Sequence, residues 1–260
     1  MTIAVVGQGR VASCMMPALR EAGHTVVCQN SRAQELTADA EVYLFCIKDD
    51  ALPEVIGRMH RSQPDALMLH TSGSVPLSVF ADAGHSRGGV LYPMQTFSKE
   101  RTPGNHGSAG GSPAIGSALD FAAIHYFIEA AQPDDLPTIQ HLAATLTTEA
   151  HIHHMPSQQR RQLHLAAVFA CNFVNHCCTL AEEVLRPAGQ TFDVMLPLLD
   201  ETVAKLHQLS PAAAQTGPAV RWDQSTISRH LDMLSNAPLA QQIYQLMSES
   251  IREKCKIENR

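Results

Sequence analysis

The first twelve residues constrain this chain more than any other stretch. Thr2-Ile3-Ala4-Val5-Val6 is a short apolar, largely β-branched run, and Gly7-Gln8-Gly9-Arg10-Val11-Ala12 follows at once. A strand that runs into the spacing G-x-G-x-x-A and then into a helical pattern predicts a βα turn of the kind that holds a dinucleotide. Gly7 allows the tight turn out of the strand, Gly9 lets the backbone approach a pyrophosphate, and Ala12 lets the helix pack close to the strand. The helix N-terminus then offers unpaired N–H groups and a positive dipole end to phosphates. An ordinary glycine-bearing βα turn would show the same spacing without a ligand.

The chain then alternates. A helix is expected from Val11 to Ala22, closed by Gly23, with a local kink at Pro17. Strand two, Thr25 to Gln29, ends in Asn30-Ser31-Arg32. NAD-binding strands place an acid here for the ribose 2′-hydroxyl; a hydroxyl and a guanidinium suit a 2′-phosphate instead, and so NADP(H). An exposed loop arginine is the other reading of Arg32. Only residues 33–41 separate that turn from strand three, Val42 to Ile47, too few for a full crossover helix, so a turn or two of helix or a loop is expected there. Lys48-Asp49-Asp50 follow strand three, and a short helix covers Leu52 to Met59. Strand four (Ala66–Leu69) leads to His70-Thr71-Ser72-Gly73-Ser74, and strand five (Gly89–Leu91) to Tyr92-Pro93-Met94-Gln95-Thr96-Phe97. Ligands of open α/β sheets bind along this carboxyl edge. Thr102–Ser117 reads as a surface loop, Tyr126–Ala130 as a sixth strand and Leu136–Leu146 as a helix.

After Met155-Pro156 the pattern turns wholly helical, with helices at Ser157–Arg186, Phe192–Leu209 (bent by Pro197), Thr226–Leu234 and Ala237–Lys254. The fold class expected is therefore α/β: an N-terminal Rossmann-like, mostly parallel sheet over residues 1–155, followed by a smaller all-α domain over 156–260. The net charge of −6 argues against nucleic acid and anionic membrane as partners. Seven cysteines, an odd number without a Cys-x-x-Cys pair, suit reduced thiols in a cytoplasm. No signal peptide is evident at the start, and no apolar run is expected to span a membrane.

These pieces resemble the Rossmann-like proteins with a helical domain of unknown function, DUF2520, related to the 6-phosphogluconate dehydrogenase-like NADP oxidoreductases. The matching stretches are Ala4–Ala12, Asn30-Ser31-Arg32, His70–Ser74, Tyr92–Ser98, Leu163–Phe173 and Gln215-Thr216-Gly217-Pro218-Ala219. The resemblance implies NADP(H) as cofactor, a small-molecule substrate between the domains, and a homodimer through the helical half. It implies cofactor contacts from Gly7, Gln8, Gly9, Arg10, Val11, Ser31, Arg32, Ile47, Lys48 and Thr71. Three features depart from the family: the short 33–41 crossover, the long insertion at Thr102–Ser117, and His125 where proline is expected.

His164, Val168, Asn172 and Asn175 share one face of the long helix by their spacing. Related dehydrogenases use a basic group and an asparagine on this helix, which makes His164 a candidate proton donor and Asn172 a candidate hydrogen-bond donor to the reacting oxygen. The lysine many relatives carry there is missing. Polar residues satisfied at a helix–helix or subunit contact are the other reading. Ser72, Gln95, Thr96 and Asn175 are the substrate-side candidates, with turn and cap chemistry as the alternative for the loop residues. Asp200-Glu201-Thr202 with Lys205 reads as a solvated face. No acid or cysteine completes a ligand set around His151-Ile152-His153-His154, so no metal is expected. The chain therefore reads as an oxidoreductase moving hydride to or from a carbonyl or imine, or as a nucleotide-binding or protein-interaction module that kept the fold.

Overall fold

The computed structural model describes residues 1–36, 39–98 and 119–258. Seven strands form one sheet in the order β2-β1-β3-β4-β5-β6-β7. They are β1 (Thr2–Val6), β2 (Thr25–Gln29), β3 (Val42–Phe45), β4 (Leu67–His70), β5 (Gly88–Pro93), β6 (Tyr126–Ala130) and β7 (Ile152–His154). The first five are parallel, β6 runs antiparallel to β5, and β7 is parallel to β6. The mostly parallel α/β architecture is thus present, with β7 as a strand the sequence pattern conceals in three residues, two of them histidines.

Strands β1, β3, β4 and β5 are buried along their length apart from Thr2, as parallel strands covered on both faces must be. Alternate residues feed two cores. Ile3, Val5, Leu44 and Leu69 pack with Met15 and Leu19 of helix α1 (Arg10–Glu21) and Ile139 and Leu142 of α4 (Leu136–Ala144). Ala4, Val6, Phe45 and Met68 pack with Leu52 and Ile56 of α2 (Leu52–Met59) and Phe80 of α3 (Ser78–Asp82). Helix α1 is assigned without a break through Pro17.

No helix joins β2 to β3 among the described residues. A strap replaces it, and its Leu36, 4% exposed, packs into the second core. The loop expected at Thr102–Ser117 lies outside the described residues.

The chain divides into two compact units, Met1–Asn172 and Phe173–Arg260. The break falls inside a helical run made of α5 (Ser157–Ala167), a π-helical segment Val168–Phe173, and α6 (Val174–Leu185). Two expectations are corrected here. The run Ser157–Ala188, with a mean hydropathy of 1.3 over its most apolar 18 residues, is long and apolar enough to cross a membrane by length and composition. Scattered His and Asn side chains interrupt it in the sequence, yet averaged over a window they do not offset the apolar residues around them. Pro197 does not bend a helix: it lies in the first turn of α7 (Leu196–Leu206), where its missing N–H has no partner to lose. The second unit continues with α8 (Pro218–Arg221), α9 (Gln224–Met233) and α10 (Pro238–Glu258).

Candidate active site

The strand order reverses direction around β1 and β3, so their carboxyl ends open at a topological switch point, where open α/β sheets bind ligands. Gly7 leaves β1 at φ +119°, and a Cβ there would stand 2.5 Å from the Cys46 carbonyl oxygen. Its N–H donates to the Gln29 carbonyl at 3.0 Å, which ties the turn to β2. Gly9 is different. It caps α1 with φ −78°, no side chain caps the helix, and a Cβ would meet nothing closer than 3.9 Å. The protein itself therefore does not require glycine at position 9, whereas a ligand backbone passing over the helix N-terminus does.

Beside the turn, Gln8, Asn30, Ser31 and Arg32 line a surface cavity of about 330 Å³ with no acid in its wall. Asn30 Oδ1 accepts from the Arg32 backbone N–H at 2.9 Å, so Asn30 shapes the turn. The Arg32 side chain is exposed, and among the described residues its guanidinium has no hydrogen bond or ion pair. The cradle at Gly9 and this acid-free cavity together fit a dinucleotide carrying a 2′-phosphate. At the end of β3, Ile47 is half-buried, and Lys48 and Asp49 are exposed.

A second polar cluster occupies the ends of β4 and β5. Thr71 Oγ1 donates to the Phe45 carbonyl at 3.4 Å. Ser72 Oγ accepts from the N–H groups of Ser74 and Val75 at 3.1 and 3.0 Å, so its hydroxyl serves the turn. Ser74 Oγ donates to Asp49, in the turn that follows the neighbouring strand β3. Gly73 leaves room for helix α5, since a Cβ would lie 2.6 Å from His164 Nδ1 and 2.8 Å from the Tyr92 ring. His164 Nδ1 is 3.1 Å from the Tyr92 hydroxyl. Burial pushes the Tyr92 pKa above its usual value, partly opposed by the nearby Arg160 charge.

Arg160 is a residue the sequence reading does not single out. It is fully buried and lies one helical turn before His164. Its guanidinium bonds Glu129 of β6 at 2.5 Å, the Val75 carbonyl at 2.6 Å and Ser157 Oγ at 3.2 Å. The i, i+4 spacing to His164 was the available signal. Beneath the same loop, His70 is buried with Nδ1 accepting from Ser72 N–H at 3.2 Å. Burial, and then the charge of Arg160, push its pKa down to about 3.

The structure gathers Gln8, Ser31 and Arg32 at one cavity, and His164 with the Thr71–Ser74 loop. Ile47 adjoins the first group, its Cγ2 2.9 Å from where a Gly7 Cβ would stand. Gln95 is exposed, with Oε1 accepting from Thr96 N–H at 2.8 Å. Asn172 and Asn175 are exposed. A count at 3.6 residues per turn, on which their common face with His164 rests, does not apply across the π segment Val168–Phe173. Near the histidine run, His125 Nδ1 and His153 Nε2 are 2.8 Å apart. Among the described residues, no group of three or more His, Cys, Asp or Glu is arranged to hold a metal.

A domain of unknown function, DUF2520, matches residues 124–251. A solved structure from Bacteroides fragilis, described as a "putative NADP oxidoreductase", is 36% identical over 97% of this chain and 98% of its own, with a TM-score of 0.83. A reductive aminase from Aspergillus terreus, in complex with NADPH and ethyl-5-oxohexanoate, shares the fold at 12% identity over 97% of this chain and 94% of its own, TM-score 0.69. An imine reductase from Myxococcus stipitatus in complex with NADP+ does so at 14% identity over 99% and 95%, TM-score 0.64. No curated protein matches the chain.

Proposed function

The chain belongs to the DUF2520 family, and from that premise we propose that it is an NADP(H)-dependent oxidoreductase that moves hydride to or from a small carbonyl or imine. The observation that carries this reading is the pair of turns at the switch point: a Gly9 that the protein's own packing leaves free, beside an acid-free cavity walled by Ser31 and Arg32. The bound reduced cofactor would supply the hydride. Gly7 and Gly9 let the backbone and the α1 N-terminus take the pyrophosphate. Arg32 and Ser31 bind the 2′-phosphate, with Gln8, Arg10, Val11, Ile47, Lys48 and Thr71 as further contacts.

The proton is handled by His164. As an imidazolium it gives its Nε2 proton to the substrate oxygen or nitrogen and becomes neutral imidazole. The Tyr92 hydroxyl accepts from Nδ1–H in both states, because the transferred proton leaves from Nε2 and Nδ1 keeps its own. Asn172, Asn175, Ser72, Gln95 and Thr96 stay as candidates for holding substrate, Ser72 through its backbone since its hydroxyl is engaged.

We assign the helical region to residues 156–260, because the last strand ends at His154 and every later element is helical. A homodimer through it is supported by its exposed apolar side chains. Among the described residues, Ala219 and Ile227 are the buried hydrophobics beyond Asn172, while Leu198, Met233, Leu239 and Leu246 are each at least 63% exposed. No disulfide joins any of the seven cysteines, all of them among the described residues, as suits the cytoplasm.

Titration with NADPH, NADP+ and NADH tests the proposal. NADPH at a hundred times its Kd stabilises a binding protein by about 2.7 kcal/mol. Absence of any thermal shift with all three at millimolar concentration removes the oxidoreductase reading. Binding without turnover of any carbonyl or imine favours a nucleotide-binding module instead.

A further inference from the structure

We infer that Arg58, on a helix remote in sequence from the nucleotide turns, is the residue that presents Arg32 to the 2′-phosphate and so sets the preference for NADPH over NADH. The inference rests on the NADP(H) reading above. A crossover helix ordinarily follows the second strand, and its packing holds the loop at the adenosine end in register. Among the described residues no such helix exists here, so the Asn30–Leu36 strap must be held by other means.

Arg58 does that with all its nitrogen groups. From the last turn of α2, NH2 donates to the Ser31 carbonyl at 2.6 Å and Nε to the Ala33 carbonyl at 3.1 Å. NH1 pairs with Glu54 at 2.8 Å on the exposed side of the helix. The two carbonyls bracket Arg32. Its own N–H is held by Asn30 Oδ1 at 2.9 Å, and the next N–H, of Ala33, donates to the Asn30 carbonyl at 3.1 Å. The peptide planes before, after and one beyond Arg32 are therefore all fixed, which fixes the direction in which its side chain leaves the backbone. Farther along, the strap is pinned again where Leu36 N–H donates to Ser62 Oγ at 2.8 Å.

The arrangement is specific to arginine. A planar fork spans two carbonyls at once, whereas an ammonium is a point donor on a flexible stem. Arg58 also adds a second positive charge under a turn whose cavity contains no acid. Its carboxylate partner, Glu54, has a side chain 79% exposed, so that neutralisation is screened by water. The sequence position gives no hint of this role, because Arg58 lies 26 residues beyond Arg32 and reads as an ordinary basic residue closing a helix.

The test uses Arg58→Lys and Arg58→Met in the full chain, with NADPH and NADH titrated by fluorescence and folding followed by circular dichroism. The wild-type protein is expected to bind NADPH more tightly than NADH. Loss of a bidentate, charge-assisted hold weakens NADPH by about tenfold or more in both variants, and NADH by no more than about twofold. That selective loss is a readout that general loosening of the fold would not give. Equal weakening of both nucleotides, or an unchanged ratio in Arg58→Lys, overturns the inference while leaving the cofactor assignment intact. Failure of the wild-type protein to bind either nucleotide overturns both. Should Arg58→Met not fold, Arg58→Lys, which keeps the charge and the stem, decides by the same ratio.

Discussion

Alanine at Gly7 and alanine at Gly9 should fail in opposite ways. At position 7 the backbone sits at φ +119°, and a Cβ would stand 2.5 Å from a backbone oxygen, Cys46 O, and 2.9 Å from Ile47 Cγ2. Positive φ in a residue with a side chain costs about 1–3 kcal/mol. A clash with backbone in a packed strand end adds about 1–3 kcal/mol, because no rotamer relieves it. The expected loss is about 2–6 kcal/mol, a large share of the ~5–15 kcal/mol a typical domain has. At position 9, φ is −78° and the nearest contact would be 3.9 Å. Alanine there weakens an N-cap by about 1 kcal/mol and gains about 0.4–1 kcal/mol by restricting the unfolded chain, so the apo protein hardly changes. NADPH affinity should nevertheless fall by at least about tenfold, since the new methyl stands where the pyrophosphate passes. Urea denaturation reports the first quantity and fluorescence titration the second. A Gly7→Ala protein within about 1 kcal/mol of wild type refutes the steric argument. A stable Gly9→Ala protein that binds NADPH normally takes the pyrophosphate away from this turn.

Three further outcomes follow from the second polar cluster. His70 is buried neutral with its pKa near 3, so unfolding at mildly acid pH takes up a proton; its contribution is complete above about pH 6.5 and is lost at about 1.4 kcal/mol per pH unit as pH falls toward 3. His70→Asn keeps an acceptor for Ser72 N–H, and urea midpoints between pH 7 and 4.5 should then show a shallower acid slope than wild type; equal slopes disprove the assignment. Arg160→Met strands the Glu129 carboxylate and should cost about 3–5 kcal/mol, most of it recovered by adding Glu129→Gln; additivity in that double-mutant cycle would show that the pair is not coupled. Tyr92→Phe removes the 3.1 Å contact to His164; NADPH affinity should hold while turnover of an imine or ketone falls by about a hundredfold, and unchanged turnover excludes the hydroxyl from proton handling.

The parts of this protein legible in its sequence are those set by local backbone chemistry. The β1–α1 turn, the buried parallel strands and the clipped strap after Arg32 follow from glycine spacing, apolar runs and counting residues between strands. The opposite holds where burial is decided by tertiary partners. Arg160 and Arg161 are neighbours of identical chemistry, yet one is buried and the other exposed, and only the distant Glu129 and Val75 carbonyl decide which. The π segment at Val168–Phe173 has no compositional mark, so a face counted through it with the α-helical period carries Asn175 to the wrong register. Strand β7 escaped for a related reason: its three residues pair with β6 by register, and two of them are histidines that carry no strand signal of their own.

Those tertiary partners also explain how His164 comes to face the loop at all. Helix α5 begins against β6, where the Glu129 carboxylate accepts from both the N–H and the hydroxyl of Ser157, an anion placed at the positive end of the helix. The Ser157 hydroxyl oxygen also accepts from Leu77 N–H at 2.9 Å, so the same point holds the segment that follows Gly73. Arg160 then reaches back to the Val75 carbonyl, closing a ring of contacts among helix, strand and loop. Burying this guanidinium is costly: burial lowers its pKa even with Glu129 in contact. What the cost secures is register. Four residues on, one turn of α-helix places His164 over the only side of the loop that lacks a Cβ, at Gly73, and within reach of Tyr92. A hydrophobic replacement for the ion pair could match its stability, but it would have no directional bond to Val75, and the loop's position against His164 would no longer be specified.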